Sequence, residues 1–101
     1  MDIRGQIVLD KFKAKHSDAV RPLDRWQDLT ENAEWANFAQ VRETFHSADL
    51  YTQDGIGYVV FNVAGNKYRL ITEVDYAGIL VVVDMVMTHA EYSKDRWKGR
   101  L

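Results

Sequence analysis

Hydrophobic positions recur with helical spacing in the first half of the chain and with strand spacing in the second. Between residues 5 and 16, Val8, Leu9 and Phe12 share one side of a helix whose other positions carry Lys11, Lys13 and Lys15. Met1 to Arg4 reads as a short strand before it. In the next segment Leu23, Trp26, Leu29 and Ala33 follow a three-and-four spacing. Ser17 or Asp18 is placed to cap that helix, and Pro22 fits it only within the first turn. Asn37 with Gln40 three residues later is a capping-box pattern for a third, short helix carrying Phe38, Val41 and Phe45 inward.

The second half changes period. Tyr58 to Val63 (YVVFNV), Lys67 to Tyr76 (KYRLITEVDY) and Ile79 to Met87 (ILVVVDMVM) are rich in β-branched and aromatic residues. Ala64-Gly65-Asn66 forms the first turn, with Gly65 and Asn66 both suited to positive φ, and Ala77-Gly78 forms the second. The pattern predicts an antiparallel meander packed on helices, in the α+β class. Alternation along the middle strand sends Tyr68, Leu70, Thr72, Val74 and Tyr76 toward the helices. Lys67, Arg69, Ile71, Glu73 and Asp75 then lie together on an open face, with Lys67 and Arg69 side by side near the turn.

With 101 residues the chain holds one domain, a helical half over 1–50 and a sheet half over 56–92. Hydrophobic residues at 47% and charged residues at 28% are ordinary for a globular protein. The absence of cysteine removes disulfides, thiolate metal sites and cysteine nucleophiles. No signal peptide or membrane span is legible, since the longest apolar run, Gly78 to Val83, is far too short, and a cytoplasmic address is expected. The sequence has no P-loop, dinucleotide-binding glycine pattern or metal-ligand cluster, so no cofactor and no metal are expected. The net charge of −2 is unevenly spread: residues 17–57 hold three basic and eight acidic residues, whereas the final KDRWKGRL holds four basic residues and one acidic. Strong autonomous nucleic-acid binding is not indicated by this balance.

Two stretches carry a resemblance. FNVAGNKYRLI (Phe61 to Ile71) and, after it, MTHAEY (Met87 to Tyr92) are similar to the two signature segments of HigB-type toxins, in the wider RelE-like family of toxin–antitoxin ribonucleases. The KHSDAVRPLDRW segment, and Trp35 followed by a short helix, resemble the helical half of that family. The resemblance implies a single RelE-like toxin domain over 1–101. It would be an antiparallel sheet of three to four strands on two to three N-terminal helices, closed by a short C-terminal helix. It also implies a metal-independent mRNA endoribonuclease acting on messages in the ribosomal A site, in which the ribose 2′-OH attacks the adjacent phosphate. The partners implied are mRNA, the ribosome and a HigA-type helix-turn-helix antitoxin, with operator DNA reached only through the antitoxin.

That chemistry needs cationic donors for the phosphorane, a base for the 2′-OH and an acid for the 5′ oxygen. On the matching positions, Arg69 suits bidentate contact with phosphate, and Lys67 supplies a second charge or lowers the 2′-OH pKa. His89 brings an imidazole, a side-chain type suited to proton transfer. Tyr92 orients or stacks on a base, or shares the proton work. Lys94, Arg96 and Lys98, interleaved with Trp97, form a candidate RNA-contacting or antitoxin-contacting end. Each residue also has a plainer reading. Lys67 and Arg69 can be solvated strand residues, His89 a cap or a partner for a backbone carbonyl, Tyr92 a core-edge aromatic, and the basic tail a frayed terminus. Family members are commonly basic, and this chain, with Glu73 and Asp75 beside Arg69, is not. The competing reading is a catalytically inactive RelE-fold module serving as antitoxin partner or co-repressor.

Overall fold

The computed structural model describes residues 1–101. In chain order the elements are β1 (Asp2–Arg4), α1 (Gln6–Lys15), a 3-10 turn at Ser17–Ala19, α2 (Val20–Glu31), α3 (Phe38–Thr44), β2 (Asp49–Gln53), β3 (Ile56–Val63), β4 (Tyr68–Asp75), β5 (Leu80–Thr88), α4 (His89–Ser93) and a 3-10 turn at Arg96–Arg100. The strands form one sheet in the order β1-β5-β4-β3-β2. All neighbours are antiparallel except β1, which runs parallel to β5.

The α+β class is therefore present, but the sheet has five strands and is mixed. The first strand pairs at the far edge from β2, placing both ends of the helical half in the sheet. Gly5 makes that entry possible. It turns from β1 into α1 at φ 96, and a Cβ there would lie 2.5 Å from the carbonyl oxygen of Val83 on β5.

The helices cover one face. Leu9, Leu23, Trp26, Trp35 and Val41 pack on Val59, Phe61, Leu70, Val81 and Val83. Asn37 caps α3 as its sequence predicts, accepting the Gln40 N–H at 3.0 Å, while the Gln40 carboxamide reaches back to the Ala36 N–H. Neither Ser17 nor Asp18 caps α2, whose start makes no side-chain cap bond. The Asp18 carboxylate is occupied by the Lys67 ammonium and the Tyr68 hydroxyl instead.

The face expected to be open is also covered. Trp97, 1% exposed, packs with Tyr58, Val60, Ile71 and Met87, and Tyr92 and Leu101 close over them. The tail is thus a second small layer rather than a frayed end. Tail and sheet are tied by the Gln53 side chain, which donates to the carbonyl of Lys98 at 2.9 Å.

Both turns differ from expectation in one residue. In the first, positive φ falls on Ala64 and Gly65 rather than on Asn66. In the second it falls on Ile79, so β5 begins at Leu80, and the Asp75 carboxylate accepts the Gly78 N–H at 3.0 Å. Between β4 and β5 the register shifts after Ile71, leaving Asp84 as a bulge between the pairs Ile71 with Met85 and Thr72 with Val83.

Candidate active site

On the tail side of the sheet a polar cleft of about 310 Å³ opens between the β3–β4 hairpin, α4 and the connection from α3 to β2. Arg42, Ser47, Asp49, Asn62, Arg69 and Tyr92 line it. Arg69 reaches it because strand alternation turns even β4 residues to the helices and odd ones to the tail, and Asn62 stands directly opposite it in the ladder.

Arg69 is 8% exposed. Its Nη1 donates to the carbonyls of Asn66 at 3.3 Å and Tyr68 at 3.2 Å, and its Nη2 donates to the Asn66 side-chain oxygen at 2.5 Å. The guanidinium also lies 5.5 Å from the centroid of the Tyr92 ring. None of the chain's ion pairs includes it. No carboxylate pairs with this nearly buried cation, and its Nε–H and one Nη2–H remain without protein partners. Asn66, read from sequence as a turn former, is the residue that fixes Arg69.

Tyr92 is half-buried and stacks on Trp97, with ring centroids 5.2 Å apart and planes at 16°. Its carbonyl accepts the Trp97 indole N–H at 3.0 Å. Burial, with the nearby Asp49 charge, raises the phenol above its ordinary pKa, and Arg69 and Lys98 oppose that rise. The phenol is therefore neutral at pH 7, able to donate a proton and unsuited to be the base.

The other predicted residues are placed differently. Lys67 lies in the turn, one residue before the β4 pleat begins, so alternation does not govern it. Its ammonium bonds the Asp18 carboxylate at 2.6 Å on the helical side, and does not stand beside Arg69. That bond raises the pKa of Lys67 and lowers that of Asp18, holding both charged. His89 opens α4 as an exposed residue outside the cleft lining. Its backbone N–H donates to the Lys67 carbonyl at 2.8 Å, and it stands one helical turn from Tyr92. Thr88, with Glu91, supplies the capping box that starts this helix. Lys94 and Arg96 are exposed and share a depression of about 280 Å³ with Arg100. Lys98 is turned to the Tyr51 ring at 4.9 Å and pairs with Asp95 at 3.2 Å.

Arg42, Ser47, Asp49 and Asn62 join the cleft without having been singled out in the sequence. Asn62 was legible, since counting back from the turn sets it across from Arg69. Arg42 and Asp49 arrive from a segment with no local mark of function. No three His, Asp or Glu side chains converge as a metal site requires.

The sequence model of the HigB toxin family, described as the RelE-like toxic component of a toxin–antitoxin system, matches residues 19–95. That span contains every residue lining the cleft. A search among curated proteins gave no match.

Proposed function

The chain belongs to the HigB family of RelE-like toxic components of toxin–antitoxin systems, and on that premise we propose that it is a ribosome-dependent mRNA endoribonuclease whose reaction occurs in the Arg69 cleft. The observation that carries this reading is Arg69 itself, a nearly buried guanidinium with no carboxylate partner and with free donors beside a polar cleft. Leaving such a charge without an anion is costly, and a phosphodiester is an anion of matching geometry.

In the proposed reaction the 2′-oxygen forms a bond to phosphorus as the bond to the 5′-oxygen breaks, giving a 2′,3′-cyclic phosphate and a 5′-OH. The 2′-OH proton passes to a base and the 5′-oxygen takes a proton from an acid. Arg69 binds the non-bridging oxygens and stabilises the added charge of the phosphorane. Arg42, on the same cleft, takes the second cationic role expected of Lys67. Lys67 itself contributes only if substrate draws it from Asp18. His89 serves as the base, entering from the first turn of α4, and the neutral Tyr92 phenol donates to the leaving oxygen or orients a base. Lys94, Arg96 and Lys98 extend the RNA path along the tail. A single toxin domain over 1–101, a cytoplasmic site of action, and control by a HigA-type antitoxin that alone contacts operator DNA complete the reading.

A second reading is favoured by specific observations: Lys67 is tied to Asp18 and His89 lies outside the cleft lining. On this reading the fold is a binding module, without chemistry, that serves its antitoxin. Induced expression separates the two. The enzyme reading expects arrest of growth and translation, relieved by Arg69→Ala and by His89→Ala. Normal growth with abundant soluble wild-type protein supports the module.

A further inference from the structure

A second groove, of about 450 Å³, runs between α2 and the tip of the β3–β4 hairpin. Pro22, Trp26, Leu29 and Phe45 give it an apolar lining. Its only charged lining residues are Arg21 and Arg25, one helical turn apart, both exposed and neither in an ion pair. The Arg69 chemistry uses none of these groups.

We infer that this groove is the docking site of the antitoxin. It would take an amphipathic acidic segment whose apolar side chains rest on Leu29 and Phe45 and whose carboxylates pair with Arg21 and Arg25. The charge pattern selects the occupant, because two unpaired cations bordering an apolar trough complement a peptide that is acidic along one edge and apolar along the other. RNA fits the same surface poorly. Trp26 is 2% exposed, with its ring against Phe61 at 5.4 Å, so it offers no free face for stacking a base. The groove also ends beside the cleft. Asn62 lines both depressions, so a segment filling one reaches the border of the other. The toxin reading above supplies the partner's identity, and the groove supplies the place and chemistry.

The test is the affinity of the full chain for its full-length cognate antitoxin, by titration calorimetry, alongside cleavage of ribosome-bound mRNA. Arg21→Glu/Arg25→Glu should weaken binding about 30-fold or more and flatten its dependence on salt. Its circular dichroism and mRNA cleavage should stay those of wild type. Leu29→Ser should also weaken binding, and should do so at all salt concentrations. Unchanged affinity in the charge-reversed chain overturns the inference, as does unchanged affinity with cleavage lost, which would assign the groove to RNA. A wild-type chain that binds antitoxin but does not cleave would sink the enzyme reading alone, since the affinity comparison still reads the groove.

Discussion

The Asn66 carboxamide holds the Arg69 guanidinium at 2.5 Å, and two substitutions there separate fold from chemistry. Asn66→Ala removes one hydrogen bond to a charged group. Such bonds contribute about 1.5–3 kcal/mol when buried, and with Asn66 at the exposed tip of a hairpin the expected loss is about 1 kcal/mol. In a chain of this size that lowers Tm by roughly 4–8 °C. The backbone imposes no further cost, because Asn66 is not among the residues with positive φ. Asn66→Asp acts in the opposite sense on stability, placing a carboxylate against a cation that has none. Stability should be unchanged or rise by up to about 1 kcal/mol. Activity should fall in both variants, and most in the stable one. A neighbouring carboxylate offsets the charge offered to the phosphorane, for which a loss of about 10²-fold is the scale set by removing one stabilising donor. Urea denaturation and single-turnover cleavage on ribosomes measure the two effects. Wild-type cleavage by Asn66→Asp would refute the reasoning that the uncompensated charge of Arg69 drives the reaction, and a large destabilisation would refute the claim that the charge lacks a partner.

Three further outcomes follow from the packing. Trp97→Ala empties the centre of the second core and removes the stacking partner of Tyr92, so unfolding free energy should fall by about 3–5 kcal/mol in denaturant titrations. Gly5→Ala forces a Cβ against the Val83 carbonyl at positive φ and should cost about 2 kcal/mol by the same measurement. Asp84, at the β5 bulge, has its pKa raised to about 7 by burial and by the adjacent Glu73 carboxylate, with Tyr58, Arg100 and Leu101 around the same cavity. Because the folded state holds this proton more tightly than the unfolded chain, stability is highest below pH 4 as far as this group is concerned. It declines as pH rises from about 4 to about 7 and levels off above. Asp84→Asn should flatten that decline and raise Tm at pH 8.

How much of this was legible in the sequence depended on whether a feature is local. The three helices and the β3–β5 meander follow from periodicity, and the Asn37 cap from a pattern spanning four residues. The β2 strand carries no clear signal because DLYTQ sits at a sheet edge, where its side chains are mostly exposed and the apolar alternation is weak. The second core has no local signature, because the tail contributes one large apolar residue, Trp97, in a run of charges, and only the fold reveals that Ile71, Val60 and Met87 await it. Lys67 escapes the alternation of β4 because it lies in the turn one residue before the strand, where its ammonium reaches Asp18. Arg69 lies on the side of the sheet that strand phase assigns it, and Tyr92 borders the same cleft, while Arg42 and Asp49 reach it through contacts distant in sequence, which no local pattern encodes.

The central claim is tested most directly by mapping the 5′ ends of an mRNA bound to programmed ribosomes after exposure to wild-type chain and to Arg69→Ala. The account predicts discrete cuts in the A-site codon, bearing 5′-OH ends, that fall at least 10²-fold in the variant while its fold is preserved. Equal cutting by both proteins, or no cutting by folded wild-type chain, would contradict it.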